Sequence, residues 1–246
     1  MLNKPLTALA CLVVGLPLAL NPMMAEAVDT TEPVRISVID SSDADMIAYS
    51  YGLLLREIGY NVEFIRIDYS AQIPALETQD IDVAPAIWDS TGWTSITDAV
   101  QAGVVVNFGS TGIRIREGWW YPSYVKEACP GLPDWSALQS EACAAIFATV
   151  ETEPRGRFID APADWETDAQ MRFDAFGMPL EAISSGSAVA LVATMKAAVD
   201  QNEPVIGWGF TPHWFFDGVD GEYVELPAFE DACYDDAAWG VNTDAT

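Results

Sequence analysis

The sequence predicts an α/β protein built as two units that face each other across a cleft. Short apolar strand-like runs alternate with helix-periodic stretches along most of the chain, and the alternation begins afresh near Gly112. Tryptophans fall at or just past the carboxyl ends of the predicted strands, where open parallel sheets hold their ligands.

In the first unit, Val34 to Ile39 (VRISVI) reads as a buried strand, and Asp43 to Ile58 as a helix ended by Gly59. A strand through Val62, Phe64, Ile65 and Ile67 follows, then a short helix near Ile73 to Thr78 and a strand from Ile81 to Trp88. Thr94 to Ala102 is predicted helical and Val104 to Phe108 a strand. The second unit opens with a strand from Gly112 through Trp120, followed by helices over Pro122 to Ala128 and Pro133 to Phe147. Next come a strand at Arg157 to Ile159, a helix Thr167 to Phe176, a strand Leu180 to Ile183, a helix Ser187 to Gln201 and a strand Pro204 to Phe210. From Thr211 the chain is expected to cross back, with Tyr223 to Leu226 as a strand returning to the first unit. The sheets are expected to be mainly parallel and flanked by helices. The predicted divisions are 1–27, a leader; 28–110, the first part of lobe 1; 111–210, lobe 2; and 211–246, the crossover and return.

Lys4, the apolar run Leu6 to Leu20 and the small-residue site Ala25-Glu26-Ala27 read as a secretory signal peptide cut after Ala27. A retained anchor, or a lipid on Cys11, is the weaker reading, because the run is short for a span and continues past the cysteine. The formal net charge is −26, and beyond the leader Lys126 and Lys196 are the only lysines. Such a surface repels nucleic acid and anionic membranes, and it fits a saline habitat as well as an ordinary acidic exported protein. Export favours disulfides, so Cys129 and Cys143, which flank a short loop and a helix-like stretch, are expected to pair. Cys233 is then left over, as a buried thiol or as half of a bridge to a partner beyond Thr246, in which case the chain is a fragment.

The chemistry is concentrated in aromatic residues. Trp88 lies in APAIWDSTGW, Trp165 in DAPADWETDAQ, and Trp208 with Phe210 on one face of VIGWGF. A quaternary ammonium donates no strong hydrogen bond, so stacked ring faces are the efficient way to hold it. Each desolvated cation–π contact contributes on the order of 2 kcal/mol, and three or four walls suffice for micromolar binding after ordering costs. Taken singly, each of these rings reads better as core than as a ligand wall. Glu166 and Thr167 are expected to open a helix whose free amides could receive a carboxylate, or else to form an ordinary helix start. His213 is the only histidine, which excludes a multi-histidine metal site; it has either a structural role or a ligand contact. No cofactor or metal is expected, and no nucleophile elbow or phosphate loop occurs in the sequence. A glycosidase using acids such as Asp160 and Glu166 is the main enzymatic alternative, but with 37 acidic residues such pairs arise by chance.

The segments IDVAPAIW, EGWWYPSYVKEACPGLPDWSAL, EPRGRFIDAPADW and EPVIGWGFTPHWFF resemble the substrate-binding proteins of glycine betaine, choline and proline betaine ABC transporters, over about Val34 to Thr246. TPHW and PGLPDW are the most specific pieces. The resemblance implies a two-lobed periplasmic-binding-protein clamshell, type II-like, that serves an inner-membrane permease as a periplasmic monomer and is not an enzyme. Trp88 and Trp165 match box positions, and Glu166 and Thr167 match carboxylate-binding amides. The family often has Trp where Phe210 stands, so Trp208 is a candidate replacement wall. Trp119, Trp120 and Tyr121 stand at the first crossover, where Trp119 and Tyr121 are taken as further cleft candidates. Glycine betaine is the expected ligand, with choline or proline betaine as alternatives.

Overall fold

The computed structural model describes residues 31–88, 90 and 93–228, so the leader, Asp89 and Cys233 lie outside the described residues. Two sheets organise the chain. The first is the parallel pair β1 (Val34–Val38) and β2 (Val62–Arg66). They are joined by α1 (Ser42–Glu57), which has Asp43 and Asp45 in its first turn, Arg56 in its last, and Gly59 at a φ of 102° just beyond its end. Helix α1 turns Ala44, Ala48 and Gly52 inward, a small-residue stripe at four-residue spacing that lets it lie close on the sheet. A Cβ at Gly52 would stand 2.3 Å from the Phe64 ring. Two short helices follow, α2 (Gln72–Glu77) and α3 (Trp93–Gln101).

The second sheet is five-stranded and mixed. Its strands are β3 (Arg116–Pro122), β4 (Gly156–Pro162), β5 (Leu180–Ser185), β6 (Gly207–Thr211) and β7 (Gly221–Tyr223), in the order β5-β4-β6-β3-β7. Strand β4 runs parallel to β5 and β6, whereas β3 is antiparallel to β6 and β7, so this sheet is only half parallel. Between the strands lie α4 (Glu141–Ala145), α5 (Ala169–Phe176) and α6 (Ala188–Asp200). Ser187 caps α6 by accepting from the Ala190 amide at 3.1 Å. Most of the buried apolar residues belong to one core around this sheet.

Several expected elements differ, some for a local reason and one because of a distant strand partner. The strand expected at 81–88 is reduced to a single bridge of Val83 to Ile36, because Pro85 has no amide hydrogen to extend a ladder. Val104 to Phe108 forms no strand; Val106 and Phe108 are 70% and 97% exposed, with no described strand edge beside them. The helix expected over 133–147 breaks at the extended Ser140 into a 3-10 stretch Trp135–Gln139 and α4. Tyr223 does not return to the first unit. Residues 221–223 instead pair with β3, and Glu225 is tied to the Pro133 carbonyl at 2.7 Å. Among the described residues no helix is long and apolar enough to cross a membrane.

Cys129 and Cys143 are joined by a disulfide with Cα atoms 5.0 Å apart, across a sequence separation of 14. Closing a loop of about 15 residues stabilises by about 3 kcal/mol. Replacing both cysteines with serine is therefore expected to lower the unfolding free energy by about that amount, read from urea titrations of the two proteins.

Candidate functional site: an aromatic cavity between the two units

Trp88 is placed by a network of buried polar groups. Gln72, 1% exposed, accepts from the Ser37 hydroxyl at 2.7 Å and donates to the carbonyls of Ala86 at 3.2 Å and Tyr69 at 3.3 Å. The Tyr69 hydroxyl accepts from the Trp88 amide at 2.9 Å and lies 3.5 Å from the Trp88 carbonyl. A loop without a ladder is thereby fixed at both edges of the Trp88 peptide, with every polar atom of Gln72 engaged.

Trp165 follows β4 in a 3-10 turn, Ala163–Trp165. The loop is anchored by Asp160, which accepts from the Ala161 amide at 2.9 Å and the Thr167 hydroxyl at 2.8 Å. Burial raises the Asp160 carboxyl above its ordinary range, and these two hydrogen bonds act against that rise. The helix expected from Thr167 starts later, at Ala169, because Glu166 and Asp168 both have left-handed backbones, with φ of 51° and 53°. The Glu166 amide is not a free helix-start donor but bonds the Ala163 carbonyl at 3.3 Å. Glu166 is exposed, and Thr167 turns its hydroxyl to Asp160. Neither lines the aromatic cavity.

Trp208 and Phe210 project from one face of β6. The flanking Gly207 leaves no room for a side chain, since a Cβ there would stand 2.5 Å from the Ile159 carbonyl oxygen. Four rings from three segments then meet. Trp165 and Trp208 have centroids 5.2 Å apart at 72°, Trp88 and Phe210 5.4 Å at 64°, and Trp165 and Phe210 6.3 Å at 73°. Trp88 stacks on Trp208 at 5.9 Å and 26°. Trp88 comes from the first unit and the other three from the second. Trp88, Trp165 and Trp208 line a cavity of about 20 Å³ together with Ile39, Ser41, Tyr69 and Glu117, whereas Phe210 packs against these rings from outside it and lines two neighbouring grooves. The Trp165 indole nitrogen is buried and has no hydrogen-bond partner among the described residues.

Two of the expected cleft rings belong elsewhere. In the antiparallel register Trp119 opposes Trp208 and Glu117 opposes Phe210, so Glu117, Trp119 and Tyr121 share the face of the cavity rings. They differ in depth along the strand. Trp119 packs on Phe158 and Phe173 in the core at 2% exposure, and Tyr121 is fully buried. Only Glu117 reaches the cavity. The residues missed in the sequence are Ile39, Ser41, Tyr69 and Glu117. The first three lie just after β1 and β2, and the strand-end rule would have drawn attention to them. Glu117 could be found only from the pairing register.

His213 stands behind Phe210, with ring centroids 5.0 Å apart, facing a separate groove of about 440 Å³ that also contains Asp40, Ser42 and Trp214. Its Nδ1 accepts from the Phe215 amide at 3.2 Å, and its own amide donates to Asp217 at 2.7 Å, after the cis peptide Thr211-Pro212. Burial lowers its pKa, against the pull of Asp43 and Asp217. Among the described residues no group of three or more His, Cys, Asp or Glu is placed to hold a metal ion.

A chain in two α/β units, with ring walls contributed by both, has the architecture of a two-lobed solute-binding protein. The family model for the substrate-binding domain of ABC-type glycine betaine transport systems (OpuAC) matches residues 32–246, and the chain belongs to that family. It is 31% identical over 215 residues to the trimethylamine N-oxide-binding protein of Pelagibacter ubique (strain HTCC1062), covering 85% of this chain and 68% of that protein. The fold is similar to the glycine betaine/L-proline-binding protein ProX of Borrelia burgdorferi, with a TM-score of 0.66, 18% identity, and 80% and 69% of the two chains covered. It is also similar to lactococcal OpuAC in its closed form with glycine betaine, with a TM-score of 0.62, 15% identity, and 80% and 71% covered.

The lowered pKa of His213 sets a direction for pH. A histidine whose folded pKa lies below its ordinary value near 6.5 binds more protons when unfolded, so its contribution is complete above that value. It is lost as pH falls from there toward the folded-state pKa. The urea midpoint of the wild type relative to His213→Asn, whose side-chain oxygen can replace Nδ1 as acceptor, should therefore fall between pH 7 and pH 5.

Proposed function

We propose that the protein captures a small trimethylated osmolyte between Trp88 of the first unit and Trp165, Trp208 and Phe210 of the second, and delivers it outside the cytoplasm to a membrane permease as a monomer. The observation that carries this reading is the meeting of four rings from both units, with three pairs near 70° forming corners. A cation within about 6 Å of several ring centroids is attracted by each quadrupole, most strongly where water is excluded. A trimethylated head fits neither the cavity of about 20 Å³ nor the gap between the near-parallel faces of Trp88 and Trp208 at 5.9 Å. Entry therefore requires Trp88 to withdraw with its unit, and binding draws the two units together.

The polar groups of the cavity favour a ligand with a cationic head and a compact acceptor. The Trp165 indole hydrogen, buried without an acceptor among the described residues, is matched by a ligand oxygen, which choline offers only as a hydroxyl. The Glu117 carboxylate supports the cationic head and disfavours a long anionic tail. The amides expected to hold such a tail lie outside the cavity. Together with the likeness to a trimethylamine N-oxide-binding protein, this orders the ligands as trimethylamine N-oxide, then glycine betaine, then choline. Calorimetric titration tests the order, and tighter binding of choline than of both others would overturn it.

Substituting Trp165 with alanine removes one wall and is expected to weaken trimethylamine N-oxide and glycine betaine binding by tenfold or more, roughly. The fold should persist in circular dichroism. Trp165→Phe keeps a ring but loses the N–H, so it should cost oxygen-bearing ligands more affinity than tetramethylammonium. Equal losses would remove the N–H from the site.

A further inference from the structure

The loop that carries Trp165 also reaches across to the first unit. Asp164, immediately before Trp165, accepts from the Tyr69 amide at 2.9 Å, between residues 95 apart in sequence. Tyr69 opens the 3-10 turn Tyr69–Ala71, whose first amides have no partner within the turn. Tyr69 is also the residue whose hydroxyl brackets the Trp88 peptide. One chain of hydrogen bonds therefore runs from the second unit through Tyr69, which also lines the cavity, to Trp88 of the first unit. Asp164 is not among the cavity-lining residues. On the far side of the cleft, Asp40 of the first unit accepts from the Ala188 amide at the start of α6, at 3.2 Å.

We propose that Asp164 and Tyr69 form a closure clasp. They are positioning residues that lock Trp88 against the walls of the second unit once the units have met and so set how long the ligand stays. The inference rests on the aromatic cavity being the ligand site. The clasp forms only when the units are together. Parting them returns the Tyr69 amide and the Asp164 carboxylate to water, and the charge-assisted bond is made or lost with the closing step, not with first contact of the ligand.

The test is stopped-flow tryptophan fluorescence with trimethylamine N-oxide and glycine betaine as probes. Asp164→Ala and Tyr69→Phe are each expected to raise the dissociation rate about tenfold and to change the association rate by less than about twofold. Because both act through one chain, the double variant should dissociate little faster than the faster single variant. Asp164→Asn, which keeps an acceptor, should fall between wild type and Asp164→Ala. Ligand-free urea midpoints show whether each variant is folded, and if Asp164→Ala is not, Asp164→Asn and Tyr69→Phe decide. Dissociation rates within twofold of wild type, or effects of the two single variants that multiply, would overturn the clasp. If Trp165→Ala abolishes binding in the same assay while the clasp variants do nothing, the cavity stands and the clasp falls. If wild type binds neither probe, both fall.

Discussion

A quaternary nitrogen carries its charge behind a shell of methyl groups and has no hydrogen to donate. The usual protein answer to a cation, a salt bridge with directed hydrogen bonds, therefore gains little over water. Ring faces attract such a charge without directed bonds, but the attraction is useful only where solvent is kept out. Enclosing the head needs walls on several sides, and a single sheet face supplies only neighbours. Trp208 and Phe210 on β6 and Trp165 beyond β4 form one side, so the remaining wall has to come from elsewhere. In the proposed reading Trp88, carried on the other unit, supplies it, and a molecule of two units meets that requirement.

The first unit is accordingly built to hold one residue. Its parallel pair and small-faced helix give a modest core of Ile36, Val38, Ala48 and Val62. Buried polar groups extend from Ser37 through Gln72 to the segment ending at Trp88. A buried amide side chain with all its partners in place specifies one arrangement, whereas an apolar loop of that length would tolerate several. The second unit is heavier and surrounds its ring-bearing strand with aromatic residues, Trp119, Phe158 and Phe173 among them. The wall on that side is therefore set by packing, and the wall on the other by hydrogen bonds.

How far the sequence could be read follows from which interactions are local. Strand and helix periodicity locates β1, α1, β2 and α6 to within a residue or two at most ends, since each depends on its own amphipathic pattern. That Trp88, Trp165 and Trp208 would come together was also legible, because strand ends are where clefts form. What failed depended on single residues that interrupt a pattern, such as Pro85 and Ser140, or on partners far away in sequence. The destination of residues 221–223 was decided by the free edge of β3. Trp119 and Trp208 stand directly opposite each other on paired strands, and only the rings each packs against, Phe158 and Phe173 for the first and Trp88 and Trp165 for the second, separate a core ring from a cavity wall. At Glu166 the backbone turns left-handed, so a segment that reads as a helix start holds its amide in a turn. Tyr69 lies just past β2, where the strand-end rule applies, but its link to both Trp88 and Asp164 leaves no trace in the sequence.

The central claim is that ring faces select the ligand for its charge and not merely for its apolar bulk. Glycine betaine and 3,3-dimethylbutanoate have the same shape and the same carboxylate, and differ in replacing the charged nitrogen by carbon. Calorimetry of both against the same protein isolates that charge. The account expects the carbon isostere to bind more weakly by about 30-fold or more, the equivalent of one desolvated cation–π contact of about 2 kcal/mol. Equal affinity for the two would contradict it.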